Sequence, residues 1–359
     1  MRAKKSAILC IILSVLFVLT VVLPETARAG LRDDMIAQAK QEGEFVLAGS
    51  NADKMRDELT DFKKLYPFIT IKAFVANTGD TVNRVTAEAR AGKASVDLPA
   101  ISNDGLELLN KQGLFKKFEF PHLKDIPADT QPSHGNFLQL FMNPRTQGVY
   151  NTTLVKPEEV PRSWDDMVHP RWKGRTMISR SSEDFPAQLA WLWKKDGKLA
   201  WERSFEFWRK IEQQKPLVAM GYRGGIKQVA AGEAAVFWFA AVGPAGRMAG
   251  VGAPLALVAF PKFTATYRSF GILKDARHPA SAWLLIDYLS SPEGHLEYLN
   301  KISAKVGTNR KAKVGKLAKW LVKQNATVEN SVPLDVEILF DKEINKKSED
   351  FFFKLIGIK

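Results

Sequence analysis

Cysteine is almost absent. The 359 residues contain one, Cys10, so the rest of the chain has no disulfide, no cysteine-ligated metal and no thiolate nucleophile. Histidine is scarce too: His122, His134, His169, His278 and His295 are scattered without metal-site spacing. No G-x-S-x-G elbow occurs. The glycines at 243, 246, 250 and 252 are not followed by Gly-Lys-Ser/Thr, which excludes a P-loop; they read as a loop near a crossover between lobes. Past residue 30, no run approaches the roughly 18 apolar residues of a membrane span. Acids are outnumbered, with 39 Asp and Glu against 52 Lys and Arg, for a formal net charge of +13. These absences point away from catalysis and toward binding.

What is present begins with an export signal. Arg2, Lys4 and Lys5 precede an uncharged run over 7–23, then Ala27-Arg28-Ala29 supplies small residues for cleavage after Ala29. The alternative is an uncleaved anchor. Export, to the periplasm, makes nucleic acid an unexpected partner and turns the basic balance toward an anionic ligand, a membrane surface or solubility. Cleavage would also remove Cys10. Composition is otherwise that of a globular chain, 45% hydrophobic and 25% charged, long enough for about two domains.

Elements alternate along the chain. A helix over 33–42 leads to an apolar strand at 45–48 and a helix whose Met55, Leu59, Phe62 and Leu65 recur at helical spacing. A strand over 69–75, a helix over 78–92, a strand over 97–101 and a helix over 106–112 complete a parallel α/β unit. A second unit starts near 147, with helices over 163–168, 188–195 and 200–213. The nine uncharged residues 234–242 read as one buried strand, with Trp238 and Phe239 in the core. Strands over 258–261 and 269–273 lead to a helix over 279–289. The basic stretch 305–323 presents Val314, Leu317 and Leu321 on one face. It reads as a helix docked on a lobe, with membrane-surface attachment as the alternative.

Several fragments occur in a characteristic order: Ala39-Lys40-Gln41-Glu42-Gly43, Phe62-Lys63-Lys64-Leu65-Tyr66-Pro67, Tyr150-Asn151-Thr152, Pro161-Arg162-Ser163-Trp164-Asp165-Asp166, His169-Pro170-Arg171-Trp172-Lys173-Gly174, Ala230-Ala231-Gly232-Glu233-Ala234 and Ser290-Ser291-Pro292-Glu293-Gly294. That order, from Ala39 to Gly294, resembles the extracellular solute-binding proteins of ABC importers, in the branch with the ferric-iron binding proteins. The resemblance implies an α/β, two-lobed periplasmic-binding-protein fold of type II, each lobe a mixed, mainly parallel sheet flanked by helices and joined by crossover strands. It implies a monomer that hands a small-molecule solute to a permease and its ATPase, without a cofactor. The expected lobes are 30–140 with 265–305, and 141–264, and residues 306–359 form a helical extension.

In open α/β sheets, ligands sit beyond the carboxyl ends of strands, near helix N-termini. Those positions here hold Ser50 and Asn51, Ser102 and Asn103, Ser181 and Ser182, and Tyr222, Arg223 and Gly224. Each serine could equally be a helix cap. Arg223 could grip a carboxylate or phosphate bidentately, or pair with Glu233 on the surface. Ferric members of the family use hard anionic donors, typically two adjacent tyrosines with a histidine and a glutamate. Aligned on Gly232-Glu233, those places fall at Val242-Gly243, Asn51 and Ser102-Asn103, and the six tyrosines are all isolated. The expected ligand is therefore a small anion and the expected metal set is none. A chelated ferric ion is the alternative cargo, and a membrane sensor the alternative recipient.

Overall fold

The computed structural model describes residues 25–240, 242–258, 260, 262–302, 305–315, 319–323, 327–334, 338 and 341–357. Most of the expected export signal, residues 1–24, lies outside them. No described helix is long and apolar enough to cross a membrane.

Among the described residues, twelve strands build two sheets: β1 (Glu44–Ala48), β2 (Thr70–Phe74), β3 (Leu98–Ser102), β4 (Leu138–Pro144), β5 (Gly148–Asn151), β6 (Thr176–Ser179), β7 (Leu217–Ala219), β8 (Val236–Phe237), β9 (Leu255–Val258), β10 (Phe263–Phe270), β11 (Val306–Gly307) and β12 (Ser331–Pro333). The first sheet runs β2-β1-β3-β10-β4-β11, with β12 beside β10; the second runs β7-β6-β8-β5-β9. Pairing is parallel where helices connect the strands, as in β1 with β2 and β3 and β6 with β7 and β8. It is antiparallel at the strands that leave one sheet for the other, as in β10 with β3 and β4 and β5 with β8 and β9.

Each sheet buries its own core. Phe45, Leu47, Leu98, Leu140 and Phe270 pack beneath the helix Pro279–Ser290, every residue of which after Pro279 is buried. The second sheet rests on aromatics: Trp208 and Trp238 are fully buried, and Phe239 lies 4.7 Å from the Trp208 ring and 5.0 Å from Phe185. The helix Lys342–Leu355 adds Phe352 to that core, so the end of the chain contributes to the second unit.

Two short strand-to-strand crossings join the units, and the chain returns to the second unit after β12, in the helix Lys342–Leu355. β4 leads through Arg145, Thr146 and Gln147 into β5, and β9 leads into β10. The crossings are tied together by the Arg145 N–H on the Thr264 carbonyl (2.7 Å) and the Thr264 N–H on the Thr146 hydroxyl (2.9 Å).

Tertiary contacts redraw some elements read from the sequence. The helix expected through Leu65 breaks at fully buried Leu59, and a second helix starts at Thr60. The Glu297 carboxylate accepts the Asp61 N–H at 2.9 Å, capping that new N-terminus from a distant helix. The nine-residue strand shrinks to Val236–Phe237. Phe239 then takes a left-handed backbone (φ 56°), held there by the rings around it, and a helix begins at Val242. The glycine cluster is thus largely helical, in Val242–Gly250, and Gly246 lets the Trp320 ring approach closely. Within 305–323 the described helix is only Lys319–Lys323. Leu321 is buried there and Val314 is exposed, while Leu317 lies outside the described residues.

His295 is fully buried beside β4 and β11. Its Nδ1 donates to the Leu289 carbonyl (2.6 Å), leaving Nε2 to accept the Thr308 N–H (3.1 Å). Burial holds its pKa down to about 4. An unfolded histidine titrates near 6.5, so the unfolded chain binds the extra proton between these values and stability falls as pH drops through that window. Urea unfolding should lose about 3 kcal/mol between pH 6.5 and 4 from this residue. The His295→Gln variant, though weaker at neutral pH, should show a correspondingly flatter acid limb; an unchanged slope would refute the assignment.

Candidate functional site

β1 and β3 run side by side, and the carboxyl end of β3 pairs with β10. Gly49, at φ +154°, carries the chain from β1 to Ser50, so close to β3 that an added Cβ would lie 2.2 Å from the Ala100 carbonyl oxygen. Arg268, opposite Ser102 in β10, spans both ends: Nη1 donates to that same Ala100 oxygen (2.7 Å) and Nη2 to the Ser50 hydroxyl (2.9 Å). Its Nε is buried without a partner, and among the described residues no carboxylate pairs with it.

Arg145, at the crossing, contacts the other unit. Nη2 bonds Asp184 at 2.6 Å and the guanidinium lies 5.2 Å from the Phe185 ring, while Nε is buried and unpartnered. Beside it opens a cavity of about 150 Å³ lined by Asn143, Phe185, Tyr222, Phe239, Gly243 and Arg247, among others. The third cation is Lys305, just before β11, partly buried and with no hydrogen bond or ion pair among the described residues. Desolvation, then the charges of Arg268 and Arg145, hold its ammonium down to about 7. Asp104, near Arg145, is pushed up by burial against the Ser102 hydrogen bond and the arginine field. Burial and the Asp184 charge push the Tyr222 phenol up.

The sequence-derived residues divide. Ser50 binds Arg268, and Asn51 caps the helix Ala52–Glu58 without a side-chain bond to it. Ser102 shares a hydrogen bond with Thr78 (2.9 Å). Asn103 is buried and accepts the Tyr267 N–H (2.8 Å), bracing β10 where β3 ends. Ser181 offers its N–H to Ser179 and its carbonyl to the Tyr222 hydroxyl; the Ser182 hydroxyl is buried beside the Tyr222 phenol. Arg223 and Gly224 are exposed on the first turn of Tyr222–Ala230, and Glu233 accepts from Gln228 rather than from Arg223. The former tyrosine-pair position, Val242-Gly243, lines the cavity. Among the described residues no three His, Cys, Asp or Glu gather as a metal site.

Arg145, Arg268 and Lys305 escaped the sequence reading. A lone arginine inside an otherwise uncharged strand was the available signal for Arg268. Arg145 follows a strand that the pattern did not reveal, and Lys305 is indistinguishable from the lysines after it.

Two α/β units clasped around strand crossings, with a polar cavity where they meet, define a ligand-binding protein of the type II periplasmic kind. The chain belongs to the family of bacterial extracellular solute-binding proteins, whose profile matches residues 59–323. It is 29% identical over 141 residues to the Fe(3+)-binding periplasmic protein of Serratia marcescens, a match covering 38% of this chain and 41% of that one. The chain therefore spans about two fifths of that curated relative. Its fold is similar to the substrate-binding protein PotD of the Streptococcus pneumoniae spermidine/putrescine ABC transporter (18% identity, 88% and 98% of the chains, TM-score 0.69). It is also similar to the periplasmic binding protein AfuA of Actinobacillus pleuropneumoniae with fructose-6-phosphate bound (19% identity, 88% and 97%, TM-score 0.59).

Proposed function

We propose that this chain is the solute-capturing component of an ABC importer, exported to the periplasm, and that its solute is a small anion. The lobes are 30–140 with 265–305, and 141–264, closing about the crossings; the closed form docks on a permease driven by its ATPase, without covalent chemistry. One observation carries the anion reading: the Nε groups of Arg145, at the crossing, and Arg268, in β10, are buried without partners, and among the described residues no carboxylate pairs with Arg268. Uncompensated buried charge is costly, and an anionic ligand would offset that cost. Ligand contacts made only in the closed form would shift the open–closed equilibrium. Ser50, Asn51, Ser102, Ser181, Ser182, Tyr222, Arg223 and Gly224 line or rim the cleft in this reading, and Asn103 braces its wall.

The Serratia relative's name favours a second reading, iron carried inside an anionic chelate, for which the same cations would grip the chelator. Native mass spectrometry of the chain from residue 30 onward should recover an anionic metabolite. Tryptophan fluorescence should then respond to that metabolite and not to spermidine. A response confined to spermidine or to bare ferric ion would overturn the anion reading.

A further inference from the structure

The cavity at the crossing narrows the ligand beyond the sign of its charge, an inference that rests on the anion reading above. Its lining combines two arginines, Arg145 and Arg247, with three aromatic rings, Phe185, Tyr222 and Phe239. Phe185 and Phe239 are buried, with ring centroids 5.0 Å apart, so they border the cavity while shielded from bulk water. Phe239 reaches this place through its left-handed backbone, a costly conformation for a bulky residue and one that collects at ligand clamps. The Tyr222 hydroxyl is bonded to the Ser181 carbonyl, which fixes the third ring. Asp184 offsets Arg145 at 2.6 Å, and the Arg145 Nε stays buried without a partner. Arg247 is exposed and has no hydrogen bond or ion pair among the described residues, so the lining keeps one uncompensated positive charge. The volume, about 150 Å³, is that of a site for one benzene ring. Arg268 stands just outside. Asn143 lines the cavity and pairs with Thr266, and Arg268 lies two residues further on the same face of β10, roughly 7 Å along the strand.

We propose that the cavity takes a single-ring aromatic acid, its ring seated among Phe185, Tyr222 and Phe239 and its carboxylate between Arg145 and Arg247. One carboxylate matches the one free charge of the lining, and its planar pair of oxygens suits a guanidinium fork. Arg268, at the margin, adds its charge from the first unit. An aromatic ring fills the space beside Phe185 and Phe239 and makes the edge-on or offset contacts that a saturated ring lacks. Bare phosphate would leave the aromatic walls unfilled, and a polyamine would meet like charge at both arginines.

The test uses the chain from residue 30 onward at constant pH and ionic strength, with benzoate, cyclohexanecarboxylate, benzamide, benzylamine, acetate and inorganic phosphate as probes in thermal-shift and calorimetric titrations. Benzoate should bind most tightly. Its margin over cyclohexanecarboxylate should be about two- to tenfold, the difference that aromatic pairing contributes. Over neutral benzamide it should be at least about tenfold. Arg247→Gln should weaken benzoate at least about tenfold and leave the unliganded Tm unchanged, since that side chain is exposed and bonds nothing else among the described residues. Tyr222→Leu should narrow the margin over cyclohexanecarboxylate. Acetate or phosphate binding as tightly as benzoate, silence toward benzoate, or an unaffected Arg247→Gln protein overturns the aromatic-acid site while leaving the anion reading standing. Benzamide or benzylamine binding as tightly as benzoate overturns both.

Discussion

Replacing Arg268 by alanine should weaken capture of the natively recovered solute by about 100-fold, as expected when a cleft guanidinium that grips an anion is lost. Arg268 donates to the neutral Ala100 carbonyl and Ser50 hydroxyl, so its hydrogen bonds contribute modestly to the fold: losing the Ala100 bond should cost about 1 to 2 kcal/mol. Binding should therefore collapse while the unliganded protein remains folded by circular dichroism. Arg268→Lys, which keeps the charge but not the fork, should fall between the two. The substitution carries a second readout, because the Arg268 charge is one of the forces holding Lys305 down. In Arg268→Ala the lysine should titrate higher, measurable by NMR of an isotopically labelled lysine. Full affinity in Arg268→Ala would remove the cluster from the ligand's path.

Gly49→Ala should be the most damaging single methyl in the chain near the site. At φ +154° the position lies outside the range that side chains adopt readily, and the new Cβ would overlap the Ala100 carbonyl oxygen. Backbone cannot yield as a flexible side chain would, so β1 and β3 must separate. We expect at least about 3 kcal/mol of destabilisation in urea unfolding. Binding should weaken as well, since Ser50 and Ala100 are the two anchors of Arg268. Wild-type stability in this variant would show that the approach of the two strands relaxes at no cost.

The first unit was readable in detail. Strands at 45–48 and 97–101 and the helix over 78–92 follow from apolar runs, alternation and stops. Asn77, which accepts the Asp80 N–H, and Ser163, which accepts the Asp166 N–H, show local chemistry setting helix starts as the sequence implies. The failures have a common origin in distant partners. The break at Leu59 is set by Glu297, and the turn at Phe239 by Trp208 and Phe185, residues that no local window contains.

The candidate site divides along the same line. Ser50 and Ser102 were legible because strand ends and helix starts are local events. Arg223 was legible as a cation beside glycines, yet the fold leaves it exposed, while Arg268 came to hold the carboxyl ends of two strands. By itself, then, the sequence determined an α/β chain without thiol chemistry, rich in positive charge and ordered like the solute-binding family. It could count cations but not pair them. Whether an arginine faces a carboxylate or an empty space depends on which strands lie side by side, and that is settled only when β3, β10, β4 and β11 assemble into one sheet.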